Sequence, residues 1–282
     1  MDLLFIFKNI IMAIVEGITE FLPVSSTGHL IISQNVLGLP ADEFNNMYSV
    51  VIQLAAILAV VILFWSRIWT KLTSFFRGEK EGRHFMLVWV VGCIPAVVLG
   101  LAYELLDLDD LLFTVPVVAA ALIVGSFFML FLEKRHEDRI KKNQIQTEQM
   151  DDMSVKQALI VGFAQCASLW PGFSRSAATI MGGWLAGFTT PLAADYSFFL
   201  AIPIMFGASG LKLVRFSFDG ISNEQLWSLI LGFVVSFIVA LVVVKAFIAF
   251  LKRRPLRIFA WYRLGLAAVL IILLLAGVLK VV

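Results

Sequence analysis

An all-α polytopic membrane protein is the fold class this sequence predicts, and three observations carry the prediction. Of its 282 residues 60% are hydrophobic and 15% charged, whereas a soluble domain runs near half apolar and about a quarter charged. Six stretches are apolar over the roughly 20 helical residues that cross a bilayer core of about 30 Å. The ionisable and hydroxyl groups lying deep in apolar sequence gather in two short stretches, Glu16–His29 and Trp170–Thr179. A charge at bilayer depth costs about 2.5–3.5 kcal/mol on insertion scales, so such groups are functional candidates by default. Residues 1–282 are read as one integral membrane domain.

In chain order, the segment 3–22 reads as a helix that Pro23 breaks, and Gly38-Leu39-Pro40 stops the next one. The return leg His29–Gly38 is then about ten residues, near 15 Å at 1.5 Å per residue, or half a bilayer. Spans follow at Tyr48–Trp65, Phe85–Tyr103 and Phe113–Leu132. The second motif repeats the first pattern: Val155–Leu169 leads in, Pro171-Gly172 breaks, and Ser176–Phe188 leads out. Three more spans close the chain, Tyr196–Leu213, Leu226–Leu251 and Phe259–Leu279. Both motifs are read as re-entrant helical hairpins with tips near the midplane. Irregular backbone is tolerated there only inside protein or along a wet cavity.

Charge orients the spans. Arg67, Lys71, Arg77, Lys80 and Arg83 follow the first, Lys134, Arg135, Arg139, Lys141, Lys142 and Lys156 the third, and Lys252, Arg253, Arg254 and Arg257 the fifth. The alternate loops hold Asp107, Asp109 and Asp110, or Lys212 and Arg215. Basic loops stay cytoplasmic, so both termini and the first hairpin's entry lie outside, while the second hairpin enters from the cytoplasm. Lys245 and Arg263 are expected to snorkel to the cytoplasmic face. The halves match weakly: Ala13, Gly17 and Glu20 against Ala158, Gly162 and Gln165, and Pro23, Tyr48 and Ser49 against Pro171, Tyr196 and Ser197. One hairpin plus three spans per half predicts an inverted-topology repeat with a midplane site, repeat one over residues 1–135, a cytoplasmic linker over 136–153 and repeat two over 154–282.

The net charge of +2 says nothing about a nucleic-acid partner, and Cys93 and Cys166 lack metal-type spacing and read as free buried thiols. Met1-Asp2 opens the chain without a basic region or cleavage site, so the N-terminus is read as retained.

Glu16 and Glu20, four apart, share a helical face, and two carboxylates in one cavity suit Mg²⁺ or Ca²⁺. The plain alternative is one protonated, hydrogen-bonded Glu and one facing solvent. Ser25, Ser26 and Thr27 open the return helix, where hydroxyls usually only cap. His29, three residues beyond Ser26, makes a nucleophile and base pair conceivable. In the second motif Gly172, Ser174, Arg175 and Ser176 open a helix with free N–H groups, a combination suited to phosphate, and Thr179 lies one turn on. Arg175 could instead serve as a structural partner of a glutamate.

Glu16-Gly-Ile-Thr-Glu20-Phe-Leu-Pro23-Val-Ser25-Ser26-Thr27-Gly28-His29 and Pro171-Gly-Phe-Ser-Arg-Ser-Ala-Ala-Thr179 resemble the two signature regions of the undecaprenyl-diphosphatase family of bacitracin-resistance proteins. The similarity spans essentially the whole chain, including Phe64-Trp65-Ser66-Arg67. It implies dephosphorylation of undecaprenyl diphosphate to the monophosphate carrier of cell-wall synthesis, a divalent cation, an inverted repeat and an outward-facing site in the bacterial cytoplasmic membrane. A second lipid phosphatase superfamily with a Ser-Gly-His box needs a histidine after its Ser-Arg box, and none follows Arg175.

The expected assignment makes Ser26, His29, Arg175 and Glu20 catalytic, with Ser26 attacking and His29 taking its proton. His29 or a metal-bound water as nucleophile stays open. Ser25, Thr27, Gly172, Ser174, Ser176 and Thr179 bind substrate, and Glu16 and Glu20 hold the metal. Expected partners are the polyprenyl diphosphate and membrane lipid, with no nucleic acid; self-association as a homodimer stays open. The reading from another class is a transporter or lipid flippase, since inverted repeats with broken helices also serve alternating access.

Overall fold

The computed structural model describes residues 2–106, 112–144, 147–251 and 254–279. Asp107, Asp109 and Asp110 and the basic pair Lys252 and Arg253, all used above to orient spans, lie outside the described residues. Eleven α-helices are described: α1 Leu3–Thr19, α2 Ser26–Val36, α3 Glu43–Leu63, α4 Trp65–Phe76, α5 Lys80–Leu105, α6 Val115–Lys141, α7 Val155–Gln165, α8 Arg175–Ala186, α9 Thr190–Arg215, α10 Asn223–Leu251 and α11 Arg257–Leu275. Among the described residues, β geometry is limited to an isolated bridge between Thr147 and Phe188. Six helices are long and apolar enough to cross a membrane, namely α3, α5, α6, α9, α10 and α11. Each contains most of one of the six spans predicted from sequence.

Helix starts follow local chemistry. Asp2 accepts from the N–H groups of Leu4 and Phe5 to cap α1, and Asp42 accepts from Asn45 N–H at 2.8 Å to cap α3. Ser154 and Gln157 form a reciprocal capping box on α7. The return helices are short: α2 has 11 residues and α8 has 12, so each rises about 16–18 Å, half a bilayer core. Pairing α1 with α2 and α7 with α8 gives the two hairpins expected.

The hairpins are held in comparable ways. α1 packs on α10 and α7 packs on α5. Gly17 of α1 lets the chain approach the Ser236 carbonyl, where a Cβ would sit at 2.9 Å, and Gly162 of α7 does the same beneath Pro95. The Tyr48 hydroxyl donates to the Asn9 carbonyl at 2.5 Å with its ring against Gly232 of α10. Tyr196 donates to the Val88 carbonyl at 2.6 Å with its ring against Gly92 of α5. The remaining long contacts run α3 on α10, α3 on α9 and α6 on α11. An aromatic core of Phe64, Phe85, Phe198, Phe199 and Phe247 fills the space between these helices.

Two expectations are corrected. The segment after the first span is a helix, α4, where only a basic loop was expected. Phe64 leaves helical geometry at φ −99° and ψ 9°, and the chain restarts with Ile68 and Ser74 buried and Trp65, Trp69 and Phe76 exposed. The spacing Trp65, Ile68, Trp69, Leu72 carried that amphipathic signal. On the other face, Arg67 pairs with Asp195 and Lys71 with Asp151, each at 2.6 Å. Arg263, expected to snorkel, is fully buried. It faces α6 at Gly125, whose missing side chain admits the guanidinium, and sits over the Phe173 ring at 5.8 Å. Lys245 is exposed, as a snorkelling lysine requires. α6 runs on to Lys141.

Candidate active site

Both hairpin tips break helix by the same device. In the first, Glu20 follows α1 with helical dihedrals and donates its N–H to the Glu16 carbonyl at 2.9 Å, which keeps both carboxylates on one face. The chain then turns through Pro23, and Val24 N–H closes on the Leu22 carbonyl at 2.7 Å. Ser25 adopts φ 69°, a left-handed conformation that costs a non-glycine residue about 1–3 kcal/mol. In the second tip Gly172 takes φ +95°, and a Cβ there would lie 2.6 Å from the Val118 carbonyl oxygen, so glycine is required on two counts. Ser174 then adopts φ 75° before α8 starts. The first helical residues beyond the two strained serines are Ser26 and Arg175.

Glu20 joins these two. The Ser26 hydroxyl donates to Glu20 Oε2 at 2.7 Å, and Arg175 Nη2 lies 3.5 Å from Glu20 Oε1. A second link runs from side chain to backbone between the tips, the Ser176 hydroxyl donating to the Leu22 carbonyl at 3.0 Å. Arg175 rests over the Phe21 ring at 5.6 Å and donates from Nη1 to the Ser197 carbonyl at 3.2 Å. Its Nε and Nη2 have no hydrogen-bond acceptor among the described residues. Glu16 is buried, and neither of its carboxylate oxygens has a hydrogen-bond partner among the described residues. A buried carboxylate with no hydrogen-bond partner is costly in protein alone, and so is a buried guanidinium whose Nε and Nη2 lack acceptors and whose counter-charge, Glu20, stands 3.5 Å off. Both are suited to a ligand carrying cations and phosphate oxygens.

The other sequence-predicted residues divide. Ser174 Oγ accepts from Ala177 N–H at 3.3 Å and lies 3.1 Å from Ser176 Oγ, so it caps α8. Thr179 is fully buried and donates to Ser197 Oγ at 2.6 Å, which props the strand of contacts behind Arg175 instead of facing a ligand. Ser25 is buried in the tip and Thr27 half-buried at the start of α2. Gly28 lets α2 approach Leu266 and Leu122.

Ser26 and His29 are not hydrogen-bonded to each other. At the first position of α2 the serine side chain projects back toward the end of α1 and finds Glu20. The imidazole folds back along its own helix, with Nδ1 2.8 Å from the Ser25 carbonyl and Nε2 2.7 Å from the Tyr262 hydroxyl. Carboxylate, hydroxyl and guanidinium are therefore the groups brought together, and the partner of Ser26 is Glu20 where the three-residue spacing suggested His29. Sequence reasoning missed Tyr262 and Phe21 and underrated Ser197. Ser197 carried a signal, its match to Ser49 between the halves; Tyr262 carried none, being a lone tyrosine in the last span.

Among the described residues no cluster of three or more His, Cys, Asp or Glu side chains is arranged as a metal site. A cation here would take its remaining ligands from phosphate and water, as Mg²⁺ usually does.

Known proteins similar to this chain fall in one family. A family model described as "Bacitracin resistance protein BacA" matches residues 9–269. An undecaprenyl-diphosphatase of Clostridium tetani is 47% identical, over 96% of this chain and 97% of that protein. An undecaprenyl-diphosphatase 2 of Clostridioides difficile is 43% identical, over 100% and 99% respectively. An undecaprenyl-diphosphatase of Ruminiclostridium cellulolyticum is 45% identical, over 96% of each. With the match running from α1 into α11 and including both hairpin tips, the chain belongs to the BacA bacitracin resistance protein family.

Proposed function

We propose that this protein hydrolyses the terminal phosphoanhydride of undecaprenyl diphosphate, releasing inorganic phosphate and undecaprenyl phosphate. That reaction recycles the lipid carrier of cell-wall synthesis and underlies bacitracin resistance. One observation carries the reading: Glu20 bonds a hydroxyl from one hairpin tip and faces an arginine from the other. The names of the relatives support it.

Ser26 Oγ attacks the terminal phosphorus while the bridging P–O bond breaks and undecaprenyl phosphate departs. Glu20 Oε2, already the acceptor of that hydroxyl, takes the proton. Arg175 turns its free N–H groups to the equatorial oxygens, where charge is spread in the transition state. Water then cleaves the phosphoserine, and Ser26 regains its proton as phosphate leaves. Glu16 and Glu20 fit a divalent cation, Mg²⁺ or Ca²⁺, because the Glu16 oxygens are buried and unpartnered. Bound there, such an ion neutralises diphosphate charge. Chelation is expected to stop phosphate release, and Glu16→Gln to raise the cation concentration needed for half-maximal rate. An unchanged cation requirement in Glu16→Gln would leave that carboxylate a structural role.

The protein is placed in the bacterial cytoplasmic membrane with the site open to the outside. Support comes from the basic residues of α4, of the end of α6 and of the start of α11, where Arg67 ties α4 to Asp195 of α9 and Arg257 ties α11 to Glu137 of α6. A cysteine at Asp219, with Cys93 and Cys166 removed, should react with an impermeant thiol reagent on intact cells. One at Lys142 should react only after permeabilisation; the reverse pattern would invert the topology. The matched packing of Gly17 with Gly162 and of Tyr48 with Tyr196 supports an inverted repeat. The same correspondence is what favours the second reading, a polyprenyl-phosphate flippase or transporter.

A further inference from the structure

The two tips hold their strained serines differently. Ser174 is secured by its own hydroxyl, which caps Ala177 N–H and meets Ser176. Ser25, with nearly the same dihedrals (φ 69°, ψ 101° against φ 75°, ψ 115°), makes no side-chain cap on its helix. Four residues after each serine stand His29 and Ala178, and only the first can reach back with a side-chain donor.

That donor is the Nδ1–H. The Ser25 carbonyl 2.8 Å away can only accept, so the hydrogen is on Nδ1. In a neutral ring Nε2 then carries the lone pair, and the Tyr262 hydroxyl at 2.7 Å donates to it. The rings lie parallel, 5.6 Å apart with 5° between planes, so the Ser25 carbonyl sets the tautomer and the tyrosine from α11 fixes the ring orientation. Neither imidazole nitrogen is left for the Ser26 hydroxyl, which points to Glu20.

We propose that Tyr262 and His29 are positioning residues: Tyr262 orients the imidazole, and its Nδ1–H holds the Ser25 carbonyl in the left-handed turn that aims Ser26 at Glu20. This rests on the reading of Ser26 as nucleophile. The chain itself supplies the diagnostic replacement. Asn9 donates from Nδ2 to the Phe5 carbonyl at 3.0 Å and Asn35 to the Ile31 carbonyl at 3.2 Å, the same four-residue reach that His29 makes. Asparagine at position 29 keeps the donor, cannot serve as a base, and does not need Tyr262.

The experiment measures phosphate release from undecaprenyl diphosphate by purified full-length protein in detergent, with melting temperature read in parallel. His29→Asn is expected to run at least about tenfold faster than His29→Ala. Tyr262→Phe, which keeps the ring stack, should lower kcat several-fold with little change in KM. In the His29→Asn background the same substitution should have no further effect, a coupling that general destabilisation would not produce. The proposal is overturned if His29→Asn is as slow as His29→Ala, or if Tyr262→Phe costs the same factor in both backgrounds. Should His29→Ala not fold, the Tyr262→Phe comparison between wild type and His29→Asn decides alone. Wild-type protein that releases no phosphate, or Ser26→Ala protein that releases it at the wild-type rate, overturns the functional reading instead.

Discussion

Ser26→Ala is expected to lose several orders of magnitude in phosphate release while expression and melting temperature stay close to wild type. The hydroxyl makes one hydrogen bond, to Glu20, and the residue is half-buried. Its loss as a hydrogen-bonding group amounts to about 1 kcal/mol of stability. Removal of a nucleophile is different in kind, because no other hydroxyl is seen bonded to Glu20 among the described residues. A variant running at more than about a tenth of the wild-type rate would have lost less than roughly 1.4 kcal/mol from the barrier. Serine would then be excluded as nucleophile, and an activated water would take its place.

Glu20→Gln should be nearly as damaging, with a rate loss of about 10²–10⁴-fold, the range expected when a general base is removed. Glutamine can still accept the Ser26 hydrogen bond, so geometry changes little; what goes is the ability to take the proton. It also leaves the Arg175 guanidinium, buried 3.5 Å away, without its counter-charge. Kinetics at saturating Mg²⁺ and Ca²⁺ check the assignment: a rate that added cation restores in full would confine Glu20 to holding the ion.

Much of this was legible in the sequence because the membrane makes exceptions visible. Pro23 and Gly172 inside apolar runs marked the two tips, and the roughly half-bilayer length of the legs after them predicted hairpins. The pairing of Glu16 with Glu20 followed from helical spacing alone, and Arg175 from its place among hydroxyls and a glycine at a helix start, whereas Ser26 was chosen for a spacing to His29 that the structure does not use. Three features were not legible, each for a local reason. The α4 helix hid behind its basic charge, which was counted for topology while the spacing of Trp65, Ile68 and Trp69 went unused. Arg263 was read by depth alone, but which way it points is set by the gap that Gly125 opens on another helix. The partner of Ser26 could not be read from spacing along α2, because the positive φ of Ser25 turns that side chain toward α1.

The measurement that bears most directly on two hairpin tips forming a phosphoryl-transfer site is the product balance of the purified protein in detergent, where no gradient exists. Undecaprenyl diphosphate with divalent cation should yield one inorganic phosphate and one undecaprenyl phosphate per turnover, with no pyrophosphate. Release of pyrophosphate would place the broken bond at the lipid carbon and contradict attack on the terminal phosphorus. Lipid left intact while the same preparation moves polyprenyl phosphate across reconstituted vesicles would contradict hydrolysis itself and favour the flippase reading.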